Sequence, residues 1–306
     1  MRLGTMLAEP AGPDALTALA GQIRDAAADG FSSAWISNIF GLEALTSLAV
    51  AGREVPDIEL GTAVVPTYPR HPAVLAQQAL TADLALGGRL TLGIGLSHQI
   101  VIQDMYGYSF DAPARHMREY LAVLLPLLAG EPAAFDGSTV HAHIGLSTPR
   151  SARKIPVLLA ALAPRMLRLA GEQTDGTVLW MTGPATVRDY IVPAITAAAT
   201  AAGRPSPRVV CALPVCVTDD PARARADADN AMAIYGQLPS YRAMLDKEGA
   251  AGPGDVALVG DEDAVATQIR ALADVGVTDF VAAEYARGAE GPRTRALLRA
   301  LATDSS

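Results

Sequence analysis

The residues Gly61–Ser97, GTAVVPTYPRHPAVLAQQALTADLALGGRLTLGIGLS, read as strand, turn, helix, turn and strand. Ile58 to Val65 is an apolar, β-branched run of the kind buried on both faces of a sheet. Pro66, Pro69 and Pro72 end it, and Pro72 suits the first turn of a helix, where no N–H is needed. Val74, Leu75, Leu80 and Leu84 then recur at roughly helical spacing until Gly87-Gly88 stops the run. Arg89 to Leu96 is a second buried strand, ending in Gly93-Ile94-Gly95. Two strands joined through a helix are parallel neighbours in one sheet.

The same unit repeats outward in both directions. Arg2–Leu7, Ser33–Ser37, Lys154–Ala160, Gly176–Met181, Arg208–Val217 and Val277–Ala283 complete a set of eight short apolar strands. Helices between them open at Asp14, Pro184 and Asp261 and close at Asp29-Gly30, Ala202-Gly203 and Gly276. The fold class is therefore α/β, a single (β/α)8 TIM barrel over residues 1–301 with a tail at 302–306. Two insertions interrupt the rhythm at the C-terminal mouth. Residues 135–146 contain the hairpin signal Asp136-Gly137, and residues 235–259 are rich in glycine, proline and turn formers.

Half of the 306 residues are apolar and 18% are charged, enough for a large core. A net charge of −8 argues against a nucleic-acid partner, which requires a basic face. No long uninterrupted apolar run suggests a membrane span, and Met1 leads directly into a strand, so a cytoplasmic location is expected. Cys211 and Cys216, five apart in one strand, face opposite ways and cannot bridge each other.

In such a barrel the chemistry sits just after the strands. Those positions hold Asn38, Ala63, Val64, Leu96, Ser97, His98, Leu162, Ala163 and Trp180, a set poor in charge. No nucleophile stands beside a base and no carboxylates pair, so hydrolytic readings lose ground. An apolar mouth with few polar groups suits a small-molecule substrate and a flat cofactor that carries the chemistry. AALAPRMLRLAGE (160–172) is the best phosphate candidate, because Pro164 opens a helix whose free N–H groups stand beside Arg165. Trp180 reads as packing or as a wall for ring or substrate. His98 reads as a proton-transfer residue or as a cap that bonds the following segment or a carbonyl. His71 at a helix start suggests local bonding, and His116, among Arg115, Arg118 and Glu119, suggests a solvated or interface face. His141 and His143 share one face, but no third ligand is evident in sequence, so no metal is expected.

Two segments, GTAVVPTYPRHP (61–72) and GGRLTLGIGLSH (87–98), resemble the luciferase-like superfamily of flavin and deazaflavin enzymes. Within it they are similar to the branch that uses coenzyme F420, an 8-hydroxy-5-deazaflavin. The resemblance implies a non-proline cis peptide at Ala63–Val64 behind the cofactor ring. It places the backbone of Leu96 and Ser97 near the cofactor and its phosphate at Leu162, Ala163, Arg165 and Met166. Asn38 and Trp180 complete the expected cofactor contacts. Sugar-phosphate dehydrogenases of this branch carry Asp-His after the second strand and a catalytic glutamate at position 98. This chain has Asn38-Ile39 and His98 there, which argues against sugar-phosphate oxidation. The leading expectation is an F420-dependent oxidoreductase moving hydride between the deazaflavin C5 and a small organic substrate. The alternatives are an FMN-dependent monooxygenase of the same superfamily and a non-catalytic flavin-binding barrel. Relatives pair, so a homodimer is expected, with Ile102, Met105, Tyr106 and Tyr108 as apolar candidates for the contact.

Overall fold

The structure is a computed structural model that describes residues 1–304. In chain order its strands are Arg2–Met6 (β1), Ser33–Ile36 (β2), Glu59–Thr62 (β3), Val65–Pro66 (β4), Leu90–Gly95 (β5) and Ala133–Asp136 (β6). They continue as His141–Ile144 (β7), Val157–Leu159 (β8), Gly176–Trp180 (β9), Arg208–Val217 (β10), Leu258–Gly260 (β11) and Asp279–Glu284 (β12). Parallel pairing runs β1–β2–β3–β5–β8–β9–β10–β12 and returns to β1, closing an eight-stranded barrel clad in helices.

The third strand is broken where the resemblance implied. Ala63–Val64 is a cis peptide, and pairing with β5 lapses after Gly61↔Thr91 and resumes at Val65↔Ile94. Four steps along one strand thus oppose three along the other, which is a bulge. The Thr62 hydroxyl fills the gap in the ladder, donating to the Gly93 carbonyl at 2.8 Å and accepting from its N–H at 2.9 Å. A Cβ on Gly93 would lie 1.9 Å from the Thr62 carbonyl oxygen, and one on Gly95 would lie 2.6 Å from Val64. Both glycines are there because the bulged backbone presses on β5.

Inside the barrel, Trp35, Leu158, Val178, Val210, Ala212 and Val281 form a plug of side chains. A second, larger apolar layer lies between strands and helices. The strand starts are tied by charge. Asp279, 2% exposed, meets Arg208 at 2.6 Å and Arg2 at 3.2 Å, and Glu59 meets the same two arginines at 3.0 and 2.9 Å.

The 135–146 hairpin forms as β6 against β7. Its turn is clamped by Glu119 on the helix Pro113–Ala129, whose carboxylate accepts from Ser138, Val140 and both the N–H and hydroxyl of Thr139. The 235–259 segment differs from the turn-rich stretch its composition suggests. It opens with the end of the helix Ala233–Gln237, continues as the helix Pro239–Glu248, and adds β11 beside the far half of β10. Pro239 starts the second helix, Met244 and Leu245 bury one side of it, and Gly249 ends it at φ 76°. The expected tail at 302–306 is also shortened. The helix Glu290–Asp304 runs through it because Leu298, Leu301 and Ala302 are buried in the core, and residues 305–306 lie outside the described residues. Cys211 and Cys216 are buried free thiols. Among the described residues no helix is long and apolar enough to cross a membrane.

Candidate functional site

At the C-terminal end of the barrel, Met6, Ala63, Val64, Ala160 and Trp180 pack partly buried on top of the interior plug. They make an apolar floor, and three of them are residues the sequence assigns to the cofactor. The Trp180 indole N–H is buried there without a hydrogen-bond partner. A buried donor left unpaired costs roughly 1–3 kcal/mol, so the floor holds one donor that the chain's own groups do not satisfy.

The rim carries backbone tension at the strand ends. Ser97 follows β5 with φ 61°, and Met181 follows β9 with φ 53°. Non-glycine residues in this left-handed region cost on the order of 1–3 kcal/mol and concentrate at functional sites. Ser97 turns the chain ahead of His98, and Met181 turns it just after Trp180.

The helical insertion then joins these two strand ends. The His98 ring lies 5.4 Å from Tyr241, Tyr241 lies 5.4 Å from Tyr235, and Tyr235 meets the edge of Trp180 at 5.7 Å. Tyr235 and Tyr241 were not singled out in the sequence. The available signal was that aromatic residues in an insertion near the mouth must fold back on something apolar. Among the described residues the His98 ring nitrogens have no hydrogen-bond partner, and burial pushes its pKa below the usual histidine value. Burial thus favours the neutral imidazole of His98.

The segment offered for a phosphate enters its helix at the expected proline. The helix Pro164–Gln173 starts with Pro164, and its cap, Ala163, offers no side-chain bond to the first N–H groups. Ala163 and Arg165 are exposed, Leu162 is half-buried and Met166 is buried. Among the described residues the Arg165 guanidinium has no partner. Tyr190 holds the loop by donating to the Leu162 carbonyl at 3.0 Å, and Lys247 sits 4.5 Å over the Tyr190 ring. Lys247 therefore adds a second cation near the loop from the insertion helix.

The remaining residues singled out in the sequence take the following places. The Asn38 side chain accepts from the Ala44 N–H at 3.1 Å, holding the turn that leads into the helix Ala44–Ala51. His116 is not on a solvated face. It is 8% exposed, its Nε2 lies 3.1 Å from the Thr67 hydroxyl, and Tyr68 stacks on it at 4.0 Å. Burial, only partly offset by Glu119, pushes its pKa down to about 4. Ile102 is buried, whereas Met105, Tyr106 and Tyr108 are exposed, so only the latter three remain available for a contact between copies. His71 caps its helix by accepting from the Ala73 N–H, and its other nitrogen reaches the His141 carbonyl.

A family profile described as luciferase-like monooxygenase matches residues 1–279. The chain belongs to that family. The chain is similar to the 5,10-methylenetetrahydromethanopterin reductase of Methanolobus tindarius, 29% identical over 286 residues, covering 83% of this chain and 86% of the relative. Its fold matches the coenzyme F420-dependent tetrahydromethanopterin reductase of Methanopyrus kandleri with a TM-score of 0.80 at 23% identity, over 98% of this chain and 97% of that one. It also matches an FMN complex, the oxygenating constituent of 3,6-diketocamphane monooxygenase from Pseudomonas putida. There the TM-score is 0.77 at 18% identity, over 99% and 96% of the two chains. At these identities the two structures speak for the fold alone.

Proposed function

We propose that this barrel is an F420-dependent oxidoreductase acting on an uncharged small organic substrate. The observation that carries the reading is the pairing of an apolar floor, with one orphaned indole N–H, and a helix start beside an unpartnered arginine. These residues fit a flat heteroaromatic ring that offers an acceptor to Trp180 and an anionic tail that reaches Arg165. When bound, F420 would supply a hydride carrier at its C5. Ala63, Val64 and Trp180 would support and wall the ring, while Leu162, Ala163, Arg165 and Met166 would hold the phosphate. Lys247, over the Tyr190 ring that holds Leu162, would offer a second cation to a longer anionic tail. His98, neutral and unpartnered, would accept the proton of an alcohol-like substrate, and Tyr235 with Tyr241 would exclude water from the mouth.

The FMN-dependent monooxygenase is the second reading, because the FMN-bound neighbour shares the fold over nearly the whole chain. FMN also carries a phosphate but lacks the extended tail. Fluorescence titration with each ligand separates them. F420 is expected to bind at micromolar concentration or tighter and FMN much more weakly. Arg165→Ala is expected to lose about 1.5–3 kcal/mol of F420 affinity, the range for a hydrogen bond to a charged group. Tighter FMN binding, with oxygen consumed on reduction, would replace the leading reading. Turnover of the bound deazaflavin with any substrate disposes of a non-catalytic barrel. We read the active form as one barrel domain per chain in a homodimer that uses Met105, Tyr106 and Tyr108. Sedimentation as a monomer at micromolar concentration would contradict the pairing.

A further inference from the structure

We propose that Asp136, His141 and His143 form a surface binding site for a divalent transition-metal ion of the zinc class. The site lies on the β6–β7 hairpin and does not depend on the proposed cofactor. His141 and His143 are two apart on β7 and therefore point to one face. The antiparallel register sets Asp136 directly opposite His141, on that same face. This is the third ligand that spacing along the chain did not reveal. The three donor atoms lie within 4.8 Å of one another.

The geometry of the cluster is that of a tripod rather than of a simple ion pair. His141 approaches one Asp136 carboxylate oxygen through Nδ1 at 2.6 Å, and His143 approaches the same oxygen through Nε2 at 3.0 Å. His143 Nε2 also reaches the second carboxylate oxygen at 3.1 Å, so two imidazoles converge on one carboxylate with ring centres 5.1 Å apart. Among the described residues none of the three side chains has any other partner. Zinc takes nitrogen and oxygen ligands at about 2.0–2.2 Å, which sets tetrahedral donors roughly 3.4 Å apart. The two Asp136–histidine contacts, at 2.6 and 3.0 Å, are shorter than that, so metal binding would spread those donors. Two imidazoles and a carboxylate form a donor set suited to zinc and neighbouring first-row ions, and poorly suited to calcium or magnesium.

The backbone beneath the tripod is fixed from both sides. Glu119 clamps the turn through Ser138, Thr139 and Val140, and the His71 ring holds the His141 carbonyl at 3.1 Å. His71 is itself committed to its helix cap, so it braces the hairpin without competing as a ligand. The three ligands are exposed, which leaves the remaining coordination positions open to water. Bound metal would cross-link the two strands and act as a clasp on the hairpin.

The test uses the full chain, stripped with a chelator and titrated with zinc by calorimetry. The expected result is one equivalent bound at micromolar concentration, with a rise in Tm. Cobalt(II) should give visible ligand-field bands at the same stoichiometry. Asp136→Asn and His143→Ala should each weaken zinc binding by roughly ten-fold or more. Amide exchange at Thr139 and Val140 should stay unchanged in those variants, showing that the hairpin is intact. His98→Ala should bind zinc as the wild type does, which separates this site from the mouth. Failure of the wild-type chain to bind at micromolar zinc would overturn the proposal. So would full retention of binding in the His141→Ala/His143→Ala double variant.

Discussion

The two ends of the barrel are built from opposite materials. At the strand starts, Arg2, Glu59, Arg208 and Asp279 interlock, and Thr91 adds a hydrogen bond to Glu59 at 2.9 Å. Every buried charge there has a partner of opposite sign. At the strand ends the floor is Met6, Ala63, Val64, Ala160 and Trp180, with no charged side chain, one unpaired N–H and two left-handed residues on the rim. One end is internally satisfied and the other is not. That asymmetry matches the division of this architecture between a stabilising end and the end that carries its chemistry.

The largest effect should come from the ligand end. His98→Ala is expected to lower turnover by about 10²–10⁴-fold, the contribution of a positioned acid or base, with F420 affinity nearly unchanged. Burial holds the His98 pKa below its ordinary value, so the neutral, proton-accepting form prevails at neutral pH. The rate should therefore be flat above neutrality and fall only as acid protonates the ring. A loss of F420 affinity in step with turnover would move His98 to the cofactor side.

The next effect belongs to the closed end. Asp279→Ala leaves two arginines to share Glu59 alone, with one positive charge uncompensated, and about 3 kcal/mol of stability should be lost. Tm should fall by roughly 6–12 °C, while F420 affinity measured well below Tm stays as in the wild type. A selective loss of cofactor binding would break the division between the two ends.

Glu119→Ala should cost about 2 kcal/mol by releasing the hairpin turn, read from the guanidinium midpoint at neutral pH. Burial raises the Glu119 pKa, but the bonds from Thr139 and Ser138 outweigh it and bring it down to about 2. A carboxyl held low in the folded state stabilises the fold above its unfolded pKa of about 4.5. That contribution is lost as pH falls from there towards 2, so wild type and variant should converge in acid. The smallest effect is at the rim. Ser97→Gly relieves a φ of 61° and should stabilise the chain by about 1 kcal/mol, seen as a modest rise in Tm, with slower turnover.

Much of the barrel was legible because its signals are local. Arg208–Val217 matches β10 end to end, Pro72 opens its helix, and Gly93 and Gly95 stand where the bulge needs them. The floor was legible mainly through resemblance, since Ala63 and Val64 carry no chemistry that composition would flag. What escaped depends on register between distant segments. His116 sits among charged neighbours in sequence, yet Met117, Glu119 and Tyr120 are buried with it while Arg115 and Arg118 point out. Asp136 meets His141 only across a hairpin, and Tyr241 meets His98 only after the insertion folds over the mouth.

Hydrogen exchange with and without F420 tests the difference between the two ends most directly. The account predicts slowed exchange at Ala63–Thr67, Leu96–His98, Ala161–Met166 and Trp180–Thr182, with the strand starts at Arg2, Glu59, Arg208 and Asp279 unchanged. Protection at those strand starts, or none at the strand ends when F420 is saturating, would contradict it.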